Sequence, residues 1–273
     1  MNNPIAIPPT FNDGQAIFRV CSCMLYLLMQ TYQEQLAAWR KEQENELTKE
    51  GGWLSVVGLF WLQEGESALP PPLGALGKLV RKDESVTLVS PQGERRLLKP
   101  NTGERLTQGS VTGQLLQRGK RLGLRVYDSE SPARRGFTGQ HWFAPDPAYR
   151  VTATFHPYPQ GKTLAITNVL GDTQPVPCPG YVTFALDGKL CRLEAQGTPT
   201  GLFFNIHDLT SGRATYPAGR FLETEKPANG KVVLDFNKAV NPPCAFTEFA
   251  TCPLPPRANY LPIAIPAGER NTH

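Results

Sequence analysis

Glycine and proline punctuate this chain from residue 53 onward, and they limit what it can fold into. The 273 residues include 25 Gly and 26 Pro. Proline lacks a backbone donor and fixes its own φ, so it breaks helices and is confined to edges and bulges of sheets. Between these residues lie a dozen or more short apolar runs, without the spacing of βαβ units. The sequence therefore predicts an all-β body of antiparallel sheets, arranged as a barrel or a sandwich.

Two tight turns, at residues 119–120 and 187–188, fix the pairing of neighbouring strands. The first turn sets Leu115 opposite Leu124. The second is an Asp-Gly pair suited to a type I′ turn, and it sets Phe184 opposite Cys191. Since paired residues share one face of a sheet, Cys191 is predicted to be a core residue without a chemical role.

One amphipathic helix precedes the β body. From Gln30 to Lys49, apolar side chains recur at spacings of three and four among Glu, Gln and Lys. The pair Gly51–Gly52 then provides a C-terminal stop. Residues 1–29 fit neither a bilayer span, which needs about 20 apolar residues, nor a signal peptide. We expect this extension to be disordered or mis-assigned, with the biological start at Met24 or Met29.

We predict four parts along the chain. They are the extension at 1–29, the helix at 30–50, an N-terminal β sub-region at 51–130, and a C-terminal β region at 131–273 that carries a proline-rich pocket loop. The division near residue 130 falls where Ser131–Pro132 turns the chain.

Charge and cysteine content exclude several classes of function. Net charge is 28 basic minus 24 acidic residues, or +4, and the basic residues are scattered rather than massed. This pattern does not predict binding to nucleic acid. Six cysteines occur without a CxxC pair, which indicates reduced thiols in a cytoplasmic protein. We expect no membrane partner, and the sequence leaves the oligomeric state open.

A proline-rich stretch, residues 232–270, is the part of the chain best suited to build a site. Its first strand puts Val232, Leu234 and Phe236 on one face, so Asp235 and Asn237 point to the other. Two prolines stop this strand, and a compact loop with two cysteines and a CPLPP turn follows. A final apolar strand is predicted at 261–265. Rigid irregular loops of this kind either plug a barrel end or form a site.

This stretch contains the motifs DFNKAVNPPCAF, CPLPP and AGE, together with Asn259. Three earlier segments are GWLSVVGLFWLQEGE, RVYDSESPARRGF and DLTSGRATYPAGRFL. In all of them, from about Trp53 to Glu269, the chain resembles the uncharacterised prokaryotic family called domain of unknown function 1684. The resemblance implies no particular substrate, reaction, cofactor or partner.

Candidate chemistry lies in two further segments. RVYDSESPARRGF puts Arg125 and Tyr127 on one strand face and leads into Arg134–Arg135, whose planar donors suit carboxylate or phosphate. Alternatively, these last two arginines hold a loop through ion pairs with nearby acidic residues. In the second segment His207 precedes Asp208, but neighbours on a strand point to opposite faces and cannot form a triad by adjacency.

The site predicted from these residues is a pocket for a small, anionic molecule. Seven side chains are expected to wall it: Arg134, Arg135, Tyr216, Arg220, Asp235, Asn237 and Cys244. In an enzyme, Asp235 or Asp208 would act as general base and the arginines would stabilise developing negative charge, as in a hydrolase or isomerase. Alternatively, the same groups only bind a ligand, or fix loops in a structural or partner-binding protein.

No metal or cofactor is expected, because the four histidines are scattered and no zinc, phosphate-loop or dinucleotide motif occurs. Cys244 and Cys252 are therefore predicted to be reduced thiols, with Cys244 at the pocket wall and Cys252 buried under the CPLPP turn. A nucleophilic Cys244 needs a neighbouring cation or base, which among these residues only the arginines could supply.

Overall fold

The computed structural model describes the backbone of residues 13–271 and the side chains of residues 31–271. Its first element is α1, Asp13–Thr48. The predicted end of this helix is close to the observed one, but the helix begins at Asp13 rather than Gln30. The helix thus includes the backbone of residues 13–29, and the expectation that residues 1–29 are a disordered or mis-assigned extension stays a prediction. The expectations for residues 1–12 lie outside the described residues.

Two units partition the chain, residues 1–42 and residues 43–273. The second unit contains all the sheets of the described chain. No helix within residues 13–271 combines the length and apolar character needed to cross a bilayer.

Residues 56–128 form two antiparallel four-stranded sheets. One sheet has the order β1-β8-β7-β6 and the other the order β2-β3-β4-β5. The strands are β1 Val56–Trp61, β2 Gly65–Ala68, β3 Lys78–Lys82, β4 Ser85–Val89, β5 Arg95–Leu98, β6 Arg105–Gln108, β7 Val111–Arg118 and β8 Arg121–Asp128. A short helix, α2 Pro132–Arg135, follows β8.

Residues 150–235 form a six-stranded antiparallel sheet and a two-stranded one. The strands are β9 Arg150–Pro157, β10 Thr163–Thr167, β11 Thr173–Pro177, β12 Gly180–Leu186, β13 Lys189–Gly197, β14 Gly201–Ile206, β15 Arg220–Glu225 and β16 Lys231–Asp235. The larger sheet has the order β15-β14-β13-β12-β9-β16, and β10 pairs with β11. Phe221 of β15 and Val240, just after β16, exchange backbone hydrogen bonds of 2.8 and 2.9 Å. The six-stranded sheet is therefore nearly closed and barrel-like.

Both predicted hairpins are confirmed, as is the antiparallel all-β fold with one N-terminal helix. Leu115 pairs with Leu124, and Phe184 pairs with Cys191. Asp187 and Gly188 both have positive φ, 52° and 69°, as a type I′ turn requires. Cys191 is 3% exposed and lies in the core, as its pairing predicts.

Each group of sheets encloses its own apolar core. The N-terminal core includes Leu73, Leu79, Leu122 and Leu124. The C-terminal core is centred on fully buried side chains such as Phe204, Leu234 and Phe236. The side chains of Val232, Leu234 and Phe236 thus share the buried face that their alternation predicts.

The predicted strand at 261–265 is not a ladder strand. Leu261, Ile263 and Ile265 are buried alternately, as in a strand. However, its backbone bonds to the short chain after β14 are isolated and form no ladder: Leu261 N–H donates to His207 O at 2.7 Å, and Leu209 N–H donates to Ile263 O at 2.9 Å. An alternating apolar pattern reports which face is buried, and it does not require continuous pairing.

The Asn259 side chain provides hydrogen bonds to backbone groups of β13 and β14 in this region. Its side chain is fully buried. The Oδ1 atom accepts from Glu194 N–H at 2.7 Å, and Nδ2 donates to the carbonyls of Glu194 and Asn205, each at 3.0 Å. One side chain therefore satisfies three backbone groups on β13 and β14.

We predict that Asn259→Ala lowers the free energy of unfolding by about 2–4 kcal/mol, because three backbone groups are left unpaired. Urea denaturation measures this change, with Gln174→Ala, an exposed side chain on β11, as the control. Equal stability of the two variants would contradict this role.

Candidate functional site

The predicted site residues fall into four sets of contacts. The first contains the arginines of α2. Arg134 Nε donates to Thr48 O and its Nη1 to Ser129 O, each at 2.5 Å. Arg135 pairs with Glu130 at 2.7 Å, and both of these side chains are largely exposed. These contacts match the alternative in which the two arginines hold a loop.

The second set is the ion pair between Asp208 and Arg220, whose side chains are completely buried. Arg220 Nη2 donates to Asp208 Oδ2 at 2.9 Å. The other oxygen, Oδ1, accepts from Thr210 N–H at 2.8 Å, from its hydroxyl at 2.6 Å and from Ile265 N–H at 3.1 Å. Both carboxylate oxygens are thus engaged away from solvent, which suits a structural group better than a general base.

Arg220 also binds the C-terminal segment directly. It donates from Nη2 to Ile265 O at 2.9 Å and from Nη1 to Ala267 O. Burial lowers the pKa of its guanidinium, and the charge of Asp208 acts in the opposite direction. The pair therefore fastens residues 265–267 to the start of β15.

The third set surrounds Asn237, which is fully buried. Asn237 accepts from Asp146 N–H at 2.9 Å and donates to Asp146 O at 2.8 Å. Asp235 Oδ1 accepts from the backbone and the side chain of Asn237, both at 3.2 Å. Asp235 Oδ2 lies 3.8 Å from Arg150 Nε, and the Arg150 side chain is half exposed. Of the two predicted general bases, Asp235 is consequently the one near solvent.

The fourth set joins Tyr216 to the two loop cysteines. Tyr216 donates its hydroxyl to Cys244 O at 3.0 Å, and Cys244 N–H donates to Cys252 Sγ at 3.2 Å. Cys244 is half-buried and Cys252 is buried. Hydrogen bonding to the Cys252 thiol and to Tyr216 outweighs burial and lowers the pKa of Cys244 to about 7. The same thiol pairing raises the pKa of Cys252.

The groups that lower the pKa of Cys244 differ from those predicted. The sequence offered only arginines to lower the pKa of Cys244, whereas the structure supplies a second thiol and a tyrosine hydroxyl. The residue spacing of eight gave no indication of direct contact, because the conformation of the intervening loop is set by tertiary packing.

Arg125 acts electrostatically on one of these thiols and was not predicted to belong to the site. It sits on β8 between Gln114 of β7 and Leu59 of β1, and it is 6% exposed. Its guanidinium carbon lies 4.8 Å from the centre of the Trp53 ring. Its positive charge acts on Cys252, where it favours the thiolate. We call Arg125, Tyr216, Cys244 and Cys252 the thiol–arginine cluster.

Two nitrogens of Arg125, Nε and Nη2, are buried and have no hydrogen-bond partner among the residues that the structure describes. These two N–H groups form the edge of the guanidinium that binds carboxylate or phosphate in a bidentate manner. The strand pattern does place Arg125 and Tyr127 on one face. It cannot show that the guanidinium lacks a partner, since this depends on the loop that covers the face.

Glu269 of the AGE motif is a further buried ionisable group that the sequence did not single out. Its Oε2 accepts from Asn241 N–H at 2.7 Å, while Oε1 has no partner in the described chain. Burial raises the pKa of this carboxyl to about 7, against the opposing effects of Asn241, Gln140 and Arg220.

The remaining candidates carry no site. His207 stacks on Tyr260, with ring centres 4.4 Å apart, and burial lowers its pKa. A shallow cavity of about 580 Å³ adjoins these two residues and Asp208. Within residues 31–271, no three His, Cys, Asp or Glu side chains come close enough to hold a metal ion.

The fold and its contacts define an antiparallel β protein whose C-terminal segment is fastened by a buried ion pair and whose preceding loop carries two neighbouring thiols. Residues 135–270 match the family described as Protein of unknown function (DUF1684), and the chain belongs to this family. The match begins at residue 135, so it does not extend to the earlier segments from Trp53 that also carried the resemblance.

One solved structure among those similar to the chain is the solution NMR structure of an uncharacterized protein from Haloarcula marismortui. The two sequences are 34% identical, and the alignment covers 51% of this chain and 80% of the other, with a TM-score of 0.42. No curated protein matches the chain.

The raised pKa of Glu269 predicts a pH-dependent stability. Below about pH 4.5 the carboxyl is protonated in both the folded and the unfolded state. As pH rises towards 7 the unfolded state loses the proton first, so stability falls by about 3 kcal/mol and then levels off. Glu269→Gln, which keeps a neutral side chain, should abolish this loss.

Urea denaturation between pH 5 and pH 8 measures the effect. The matched control is Glu223→Gln, which removes an exposed carboxyl from β15. If Glu269→Gln shows the same pH dependence as the unsubstituted chain, the assignment to Glu269 is wrong.

Proposed function

We propose that this protein binds a small anionic molecule, a carboxylate or a phosphate, through Arg125 in the thiol–arginine cluster. The observation that carries this proposal is the pair of buried N–H groups, Nε and Nη2, that have no partner among the described residues. A buried polar group without a hydrogen bond costs on the order of 1–3 kcal/mol, and more when it is charged. An anion with two oxygens would satisfy both N–H groups at once.

The surroundings of Arg125 favour an anion over a neutral ligand. Arg118 and Arg121 lie on the same face of the β7–β8 pair. Burial, and then the charge of Arg125, lower the pKa of Arg118. Arg121 is paired with Asp172 at 3.1 Å. A negative charge at Arg125 would therefore relieve repulsion that the chain otherwise bears.

The loop at 243–252 forms the cover of this face. Thr247 Oγ1 donates to Val56 O at 3.4 Å, and Arg118 Nε donates to Thr251 Oγ1 at 3.2 Å. Since both orphaned nitrogens are shielded from solvent, the anion must enter beneath this loop. A small ligand suits such a site, because it displaces little of the cover.

Anion binding should stabilise the folded chain. At a concentration 100 times Kd the free energy of unfolding rises by about 2.7 kcal/mol. Thermal unfolding in low-salt buffer with phosphate, sulfate, acetate, oxalate or succinate measures this gain. Arg125→Gln should abolish it, and Arg125→Lys should weaken it because an ammonium group cannot present the same fork of donors.

Arg121→Gln is the matched control, because it removes an exposed arginine from the same strand face. It should keep the stabilisation. An equal response of the unsubstituted chain and of Arg125→Gln to every anion would contradict the proposal and favour a structural role for the cluster.

A second proposal retains Asp235 as general base of a hydrolase or isomerase, because its side chain is 11% exposed whereas that of Asp208 is completely buried. We predict that Asp235→Asn keeps the fold, because the amide is nearly isosteric, its oxygen still accepts from Asn237, and the Arg150 side chain is half exposed to water. In this variant, stabilisation by a ligand should be lost, and so should the consumption of a ligand, which NMR can monitor. A destabilisation above about 3 kcal/mol without any ligand effect would instead identify a structural ion pair.

A further inference from the structure

Cys244 and Cys252 are free thiols in direct contact. The backbone N–H of Cys244 donates to the sulfur of Cys252 at 3.2 Å. Both lie in one loop between β16 and the C-terminal segment. A bond between the two sulfurs therefore requires adjustment within this loop and leaves the sheets in place.

The two thiols differ in burial and in pKa, as a reactive and a resolving cysteine do. Cys244 is half-buried, and its pKa is lowered to about 7, so a large share of it is thiolate at neutral pH. Cys252 is buried and its pKa is raised. In contrast, burial raises the pKa of Cys178 to about 11 and also raises that of Cys191. Of the four cysteines whose side chains are described, Cys244 is thus the one whose pKa is lowered.

Two donors beside the thiols can stabilise developing negative charge. Tyr216 donates its hydroxyl to the backbone carbonyl of Cys244 at 3.0 Å, which places this hydroxyl next to the thiol. Arg125, which is 94% buried, carries the two unpartnered N–H groups and acts on Cys252. Both features suit a reaction that expels an oxygen anion close to a cysteine sulfur.

We propose that Cys244 and Cys252 form a redox-active pair that reduces a hydroperoxide. The Cys244 thiolate attacks the terminal oxygen of the hydroperoxide, the O–O bond breaks, and the alkoxide or hydroxide that leaves takes a proton from solvent. Cys244 is then a sulfenic acid. Cys252 loses its proton and attacks the Cys244 sulfur, and hydroxide leaves with that proton as water. The product is a disulfide, and an external dithiol reduces it back to two thiols.

The same cysteine could in principle attack an acyl group, but the geometry points to the redox reaction. An acyl-transferring cysteine uses a general base, usually histidine. No histidine is among the groups that shift the pKa of Cys244. A neighbouring thiol is what a sulfenic acid needs for its resolution, and the Cys252 sulfur lies 3.2 Å from the backbone nitrogen of Cys244. This proposal does not depend on the binding of an anion at Arg125.

The full-length chain allows a direct test, because trypsin leaves both cysteines in one peptide, residues 239–257. The reduced protein is treated with one equivalent of hydrogen peroxide and digested without reductant. We expect this peptide to lose two hydrogen atoms and to regain them with dithiothreitol. Before oxidation, iodoacetamide should modify Cys244 at least about ten times faster than Cys178 at pH 7.

Three variants make the assignment specific. Cys244→Ser should abolish peroxide consumption, and Cys252→Ser should accumulate a sulfenic acid at Cys244 that dimedone traps. Cys178→Ser is the matched control and should behave as the unsubstituted chain does. Circular dichroism and thermal unfolding verify that each variant folds.

Several results would overturn the proposal. They are equal oxidation of the Cys178 and Cys244 peptides, peroxide consumption by Cys244→Ser at the rate of the unsubstituted chain, and the absence of a dimedone adduct in folded Cys252→Ser. Formation of a stable ester-derived adduct at Cys244, with no reaction towards peroxide, would identify acyl chemistry instead.

Discussion

The buried ion pair between Asp208 and Arg220 is the interaction on which the C-terminal half of the structure depends. Two charges removed from water are costly unless their remaining hydrogen bonds are satisfied. Here the backbone supplies most of those bonds: the N–H groups of Thr210 and Ile265 donate to the carboxylate, and the guanidinium donates to the carbonyls of Ile265 and Ala267. Arg220 Nε has no hydrogen-bond partner among the described residues. The pair thereby fastens the end of the chain to a turn after β14 and to the start of β15. Breaking it would leave one charge buried without its counterion.

This fastening also fixes the proline-rich loop, which runs between β16 and the fastened segment. Near its start, Asn241 N–H donates to Glu269, and further on Tyr216 donates to Cys244 O. At its end Val169 N–H donates to Cys252 O at 3.0 Å. These contacts restrict the conformations of the loop and keep the two thiols close together. In an unconstrained chain the thiols would meet only transiently.

The sequence predicted the features that follow from local patterns. Alternation gave the hairpin register at Leu115 and the buried face of β16, because side-chain direction in a strand depends only on position. It could not predict partners that arrive from elsewhere in the chain. The sequence suggested a general base at Asp208, whereas the structure pairs Asp208 with Arg220. Polarity alone does not distinguish a general base from one half of a structural ion pair. The sequence did not identify Arg125 as a site residue, because its lack of partners depends on the loop that covers its sheet face. It did not identify Glu269 either, because the burial of Glu269 depends on how the end of the chain packs.

The positive charge of Arg125 links anion binding to thiol chemistry in the thiol–arginine cluster. The positive charge of Arg125 favours the thiolate form of Cys252. An anion bound to Arg125 would neutralise that charge, so it would favour the protonated thiol that cannot resolve a sulfenic acid. By linkage, the thiolate would weaken anion binding to the same extent. Anion binding at Arg125 and resolution of a sulfenic acid by Cys252 would therefore oppose each other through this one charge.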